Sequence, residues 1–261
     1  MNNIFKENLE KKKFQLGLWS LLCSDISADI IGGSGFDWIV LDMEHAPNDV
    51  KNVVSQSQAI ESKRKSSVLI RIPWNDPLSI KLLLDYGFNS LIVPMINNKE
   101  DAENAAKACF YPPKGIRGVA FNHRGDDYGR NPNYLKEIEN QICLIPQLET
   151  KEAMNNCISI ATTEGVSAVF IGPADLSADM NILADFENKD LWVLIEKTLK
   201  ELKSENIPVG TIIGKPNLVQ RCIDLGFDFV GCGADSALLA KAADELKNSF
   251  KIKSKIINKL Y

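Results

Sequence analysis

What most constrains the fold of this chain is a pattern repeated along it. Short apolar runs recur, and the segments between them carry helix signals. The runs are Gln15–Ser20, Trp38–Asp42, Val68–Ile72, Ser90–Pro94, Ile142–Leu148, Ala168–Ile171, Pro208–Ile213 and Phe227–Gly231. Most are continuous stretches of β-branched residues and leucine rather than apolar–polar alternations, which is how strands covered on both faces read. Between them, Pro47-Asn48-Asp49 starts a helix that runs to about Ile60. Pro77–Tyr86 is closed by Gly87 and Pro216–Leu225 by Gly226, while Asn98–Phe110, Thr150–Thr163 and Asp190–Glu205 complete the helical segments. A lysine-rich helical pattern fills Asp235–Leu260. Eight such alternations in 261 residues predict a (β/α)8 TIM barrel, one α/β domain over 1–261, with an extra C-terminal helix.

The competing α/β architecture, a doubly wound open sheet, places a glycine-rich turn after its first strand. Here the first strand runs into Ser20-Leu21-Leu22-Cys23, and Gly32-Gly33-Ser34-Gly35 precedes a strand, the wrong order for a phosphate cradle. A net charge of −4 argues against the basic face of a nucleic-acid binder. No apolar run approaches the roughly 20 residues that cross a bilayer. The opening MNNIFKENLEKKKF carries no apolar signal segment, so a cytoplasmic enzyme is the expectation. The six cysteines include no C-x-x-C pair and read as small buried hydrophobes in a reducing compartment.

In barrels of this kind chemistry collects at the C-terminal ends of the strands. The first strand ends at Trp19 and Ser20; the second delivers Asp42, Glu44 and His45; the third Arg71. The fifth brings Gln147 and Glu149, the sixth Gly172-Pro173-Ala174-Asp175, and the eighth Gly233 and Asp235. Glu149 and Asp175 end neighbouring strands, about 4.8 Å apart. Two carboxylates so close persist when one is protonated or when a cation lies between them. A hard divalent ion such as Mg2+ or Mn2+ is held by that few carboxylates, with water or substrate oxygens completing its shell, and a 2-oxo acid offers two oxygens. The plain alternative is a rim pair bridged to Arg71 or a lysine. Arg71 aims a fixed cation at the same volume, where it can stabilise an enolate oxygen. Backbone N–H groups near Ala174 and Asp175 suit a carboxylate. Asp42 is expected to hold the His45 imidazole in one tautomer. His123 reads as a surface residue. Tyr111–Asn140 shows no clear strand, and so long an irregular segment is expected to fold over the barrel mouth or reach a neighbouring subunit.

GFDWIVLDMEHAPND, IRIPWND, LIVPMINN, YPPKGIRGVA, QLET and VFIGPADLSADM, taken in this order, resemble the HpcH/HpaI aldolase family of the phosphoenolpyruvate/pyruvate barrel superfamily. The resemblance runs from Leu16 to Asp235. It implies a class II pyruvate aldolase that reversibly cleaves a 4-hydroxy-2-oxo acid of the 2-keto-3-deoxy type to pyruvate and an aldehyde, through a metal-bound pyruvate enolate. Glu149 and Asp175 would ligate Mg2+, Mn2+ or Co2+. Arg71, Gln147 and the Gly172–Ala174 backbone would complete the pyruvate site, with Trp19 also against substrate. His45, oriented by Asp42, would act as acid–base, and Glu44 would bond a water on the metal. The stretch Phe121–Asn133 departs most from the family pattern. It is expected on the aldehyde side, where Arg124 would meet a distal carboxylate or a sugar hydroxyl. The family also implies a homohexamer, a trimer of dimers, with a C-terminal helix over Leu238–Leu260 exchanged between subunits.

Three rival readings make different demands. A class I aldolase needs a lysine at a strand end, and only Lys215 approaches one, in what reads as the first turn of a helix. An acyl-CoA ester lyase of the same superfamily needs a basic groove, yet Lys63-Arg64-Lys65 precedes the third strand, at the opposite end. A non-catalytic 2-oxo-acid-binding protein would not need the acid–base residues.

Overall fold

The computed structural model of the chain describes residues 2–63 and 65–250. Eight parallel strands close into a barrel in sequence order: β1 (Gln15–Ser20), β2 (Trp38–Asp42), β3 (Ser67–Arg71), β4 (Ser90–Val93), β5 (Cys143–Leu148), β6 (Val169–Ile171), β7 (Val209–Ile212) and β8 (Phe229–Ala234). The expected strands are all present, shifted by at most a few residues. Helices α1 (Ile4–Glu10), α2 (Asp25–Gly32), α3 (Val50–Ser62), α4 (Pro77–Asp85), α5 (Lys99–Cys109) and α6 (Tyr134–Gln141) come from the first half. The second half adds α7 (Lys151–Asn155), α8 (Cys157–Ala161), α9 (Pro173–Asp179), α10 (Lys189–Ser204), α11 (Pro216–Leu225) and α12 (Asp235–Asn248). No helix among the described residues is long and apolar enough to cross a membrane.

Helix starts follow local chemistry. Asp49, Asp76 and Asn98 each turn a side-chain oxygen back onto a first-turn N–H of α3, α4 and α5. The expected single helix over Thr150–Thr163 is two short ones, because the chain bends at Asn156, whose amide donates to the Asn97 carbonyl at 2.9 Å. The expected C-terminal helix starts as foreseen at Asp235; the part beyond residue 250 lies outside the described residues, as does Arg64 of the basic cluster before β3.

The core has two compartments. One lies between strands and helices, where β-branched residues and leucine cover the outer barrel face. The other fills the barrel itself: Phe5 from α1 enters at the N-terminal end and meets Trp38 and Phe229, which in turn pack on Trp19 and Phe170. Gly17 and Gly210 make this possible, since a Cβ on either would stand 2.1 Å from the Trp38 ring and 2.2 Å from the Phe229 ring. The C-terminal end is left for polar groups.

Candidate active site

Side chains alternate in and out along a strand. On β2 the inward positions run Trp38, Val40, Asp42; on β3 Leu69, Arg71; on β5 Cys143, Ile145, Gln147, with Glu149 one step further. The apolar members pack inside the barrel, and the last inward member of each series is polar. Parallel register sets Asp42 beside Arg71. Polar groups from three strands therefore converge at one end without any loop having to carry them there.

Arg71 is the hub. Its Nε donates to Asp42 Oδ1 at 2.9 Å, Nη2 donates to Asp42 Oδ2, and Nη1 lies 3.1 Å from Glu44 Oε2. Its guanidinium stands over the Trp19 ring, 5.7 Å from the centroid. Burial works against its charge, but the Asp42 hydrogen bond and the Asp42, Glu44 and Glu149 charges outweigh this and hold its pKa above the ordinary value. Trp19 is buried beneath it, the floor of the site rather than an exposed wall.

Glu149 is 1% exposed. Its Oε1 accepts the Met95 N–H at 2.6 Å, and Oε2 accepts the Gln147 amide N–H. Met95 adopts φ +54°, a left-handed conformation unusual for its residue type, which turns that N–H inward. Burial pushes the Glu149 carboxyl up to about 7; the Gln147 and Met95 hydrogen bonds oppose this, and the Glu44 and Asp175 charges add to it. The Glu44 carboxyl is also raised, by burial first, against the pull of Arg71, then by Asp42 and Asp175. A Cβ at Gly172 would lie 3.0 Å from Glu149 Oε2 and 3.2 Å from Gln147 Nε2, so the residue before α9 is glycine for space. Ala174 and exposed Asp175 occupy the first turn of α9, where backbone N–H groups have no intrahelical acceptor.

Asp42, Glu44, Glu149 and Asp175 thus share one electrostatic neighbourhood, with the Arg71 cation against two of them. This negative excess, and a buried Gln147 Oε1 with no hydrogen-bond partner, fit an added hard cation. Among the described residues no three His, Cys, Asp or Glu side chains are grouped to hold a metal by themselves. Glu149 and Asp175 are the two carboxylates that could offer oxygen donors to such an ion.

The profile of the HpcH/HpaI aldolase/citrate lyase family matches residues 15–242. The chain belongs to this family. It is 43% identical over 251 residues to a 4-hydroxy-2-oxo-heptane-1,7-dioate aldolase of Escherichia coli, covering 96% of this chain and 95% of that one. A relative of the same name from Salmonella heidelberg is 40% identical over 257 residues, covering 98% and 97%. Among solved structures, an HpcH/HpaI aldolase/citrate lyase family protein from Burkholderia cenocepacia superposes with a TM-score of 0.92 at 31% identity, covering 95% and 99%. This aldolase-family member is a lyase, and the converging polar groups lie where its barrel places chemistry.

Not every expected site residue joins this family site. Asp42 does not orient the His45 ring: its oxygens are taken by Arg71 and by the backbone N–H groups of Glu44 (3.0 Å) and His45 (3.4 Å). The exposed imidazole instead has Nε2 4.0 Å from Glu44 Oε2. Arg124 is not at the rim. Its guanidinium donates to the Tyr86 carbonyl at 2.7 Å and to Glu61 at 3.0 Å, at the last turns of α4 and α3, which lie at the N-terminal end of the barrel. A cation there satisfies the free carbonyls of a helix end. The segment after Tyr111 does not fold over the mouth within this chain: Ile116 and Arg117 bond back to Lys107 and Phe110 of α5 and its cap, and Arg124–Asp126 packs on the end of α4. His123 is mostly buried, edge-on to Tyr134, its Nδ1 accepting the Asp126 N–H. Met95 was not foreseen, because its contribution is a backbone N–H set by φ and leaves no side-chain signature.

Proposed function

We propose that this lyase is a divalent-metal-dependent class II pyruvate aldolase, reversibly cleaving a 4-hydroxy-2-oxo acid to pyruvate and an aldehyde. The observation that carries this reading is the buried Glu149 carboxyl, held near pH 7 beside Asp175, Glu44 and an unpartnered amide oxygen. Glu149 and Asp175 would hold Mg2+, Mn2+ or Co2+, an ion that when bound supplies Lewis-acid polarisation of the 2-oxo group.

The protein groups divide the remaining work. First-turn N–H groups at Ala174 and Asp175 receive the substrate carboxylate, and Gly172 leaves room for Glu149 and Gln147 beside it. Gln147 lines the same pocket. His45 takes the proton of the C4 hydroxyl, directly or through a water. The O–H electron pair becomes the aldehyde C=O, the C3–C4 bond breaks, and its pair passes into the enolate of pyruvate. Arg71 sits fixed by Asp42 and Glu44, so its charge meets the developing enolate oxygen without reorganising. Return of a proton to C3 yields pyruvate. Glu44 faces the imidazole, its Oε2 4.0 Å from Nε2.

The same reading extends to assembly as a homohexamer. Leu238, Leu239 and Leu246 are exposed along α12, a surface that a partner subunit would cover. Sedimentation of the purified protein tests this.

The decisive assay measures pyruvate release from a panel of 4-hydroxy-2-oxo acids, 4-hydroxy-2-oxoheptane-1,7-dioate first, with Mg2+, Mn2+, Co2+ or EDTA. Metal-dependent release, lost in Glu149→Ala and Asp175→Ala, supports the reading. No release with any metal from folded protein overturns it, and a borohydride-trapped pyruvate adduct would replace it with a class I mechanism.

A further inference from the structure

Asp235 stands where β8 passes into α12, and it is 4% exposed. Its carboxylate accepts from Ser20 Oγ at 3.1 Å, Leu21 N at 2.8 Å, Leu22 N at 3.4 Å, Ser27 Oγ at 3.0 Å and Ser236 N at 2.7 Å. Among the described residues no cation forms an ion pair with it. Four of its five donors belong to one stretch, the loop leaving β1 and the start of α2. A buried carboxylate without a counter-ion is kept by hydrogen bonds alone, and here those bonds fasten a loop. That loop contains Cys23 at φ +51°, so its path is not one the chain takes unaided. The loop leaves β1, which pairs with β8 on one side and β2 on the other, and the Cys23 thiol is pushed up by burial and then by both Asp235 and Asp42.

The place of this loop in the ring gives it a use. The groups assigned above to pyruvate come from β5, β6 and β3. β1 stands opposite β5 in the closed eight-stranded order, and His45 follows β2. If His45 takes the C4 hydroxyl proton, the departing aldehyde lies toward β2 and its neighbour β1. Leu22, 39% exposed, presents an apolar side chain from that edge.

We infer that Asp235 is a positioning residue for the aldehyde half of the site: its carboxylate pins the Leu21–Ser24 loop as the wall against which the aldehyde fragment rests. This rests on the aldolase reading and extends it to residues that touch neither metal nor pyruvate.

The test separates the two halves of the reaction. Exchange of pyruvate methyl protons in D2O, followed by NMR, reports enolate formation without any aldehyde; aldol condensation reports both halves. Asp235→Asn, shown folded by its melting transition, should raise the KM for the aldehyde about tenfold and leave pyruvate exchange within about threefold of wild type. Ser27→Ala removes one of the five hydrogen bonds and should shift the aldehyde KM the same way by about two- to threefold. Should Asp235→Asn not fold, Ser27→Ala decides. An unchanged aldehyde KM in the folded variants, or exchange falling in parallel with condensation, overturns the inference. Wild type inactive in both assays overturns the aldolase reading and this one with it; active wild type with unaltered variants overturns this one alone.

Discussion

The two ends of the barrel are built on opposite terms. At the N-terminal end Phe5 closes an aromatic stack, 5.3 Å from Phe229 and 6.2 Å from Trp38, with every ring buried. Edge-to-face pairs of this kind add about 0.5–1.5 kcal/mol each beyond the area they bury. At the C-terminal end, one strand-length away, four carboxylates share a neighbourhood with Arg71, and desolvation with mutual repulsion raises the pKa of two of them. The first end stabilises the native state; the second costs stability and is tolerated because the first exists. Folding and turnover should therefore respond to different residues.

The largest effect expected is on rate, at the polar end. Glu149→Ala and Asp175→Ala should each lower kcat/KM by about a thousandfold or more, with a melting temperature no lower than that of the metal-free wild type. A rate loss accompanied by a matching drop in melting temperature would erase the contrast between the ends. Arg71→Lys follows. It keeps the charge but loses the two-pronged contact to Asp42, and should cost about a hundredfold in kcat because the cation no longer sits still where charge develops. If the lysine variant keeps its full rate, the fixed geometry at Arg71 is irrelevant. Phe5→Ala should do the reverse of both: about 3–5 kcal/mol of unfolding free energy lost, read from urea denaturation, with the rate per folded molecule unchanged.

How much of this was legible in the sequence differs between the ends in an instructive way. Strand positions were readable because strands buried on both faces leave dense apolar runs, as in Trp38–Asp42. Asp42, Arg71, Gln147 and Glu149 were readable because each follows such a run at inward parity. Arg124 was misplaced since a cation in an irregular segment looks the same whether it meets a substrate or a helix-end carbonyl; only the path of the chain after Phe110 decides, and that path is set by backbone bonds to Lys107 and Phe110. The Asp42–His45 pairing was misjudged because proximity in sequence says nothing about which partner saturates a carboxylate first, and Arg71, aligned with Asp42 by strand register, does so. Met95 contributes through its backbone N–H, which every residue but proline possesses.

The smallest expected effect is the sharpest probe of the comparison, because it asks whether a buried carboxylate of the candidate site is a burden to the fold. Glu149 has its pKa raised from 4.5 to about 7 by burial. The native state thus holds this proton more tightly than the unfolded chain does. Its contribution to stability is complete below about pH 4.5 and is lost as pH rises through about 7. In metal-free protein, stability should therefore fall across that window, and Glu149→Gln, which carries no charge to desolvate, should remove this part of the slope. The amide can still accept from Met95 N–H, and once the Gln147 amide turns over, its NH2 can donate to Gln147 Oε1. Above pH 7 the variant should exceed wild type by about 1–3 kcal/mol while turning over no substrate. Urea denaturation of both proteins in EDTA at pH 5 and pH 8 measures this. Glu44, also raised, titrates in both proteins, so the difference between them reports Glu149 together with its coupling to Glu44. Parallel pH profiles would mean that Glu149 is solvated in the metal-free state, and that the polar end imposes no cost that the aromatic end must offset.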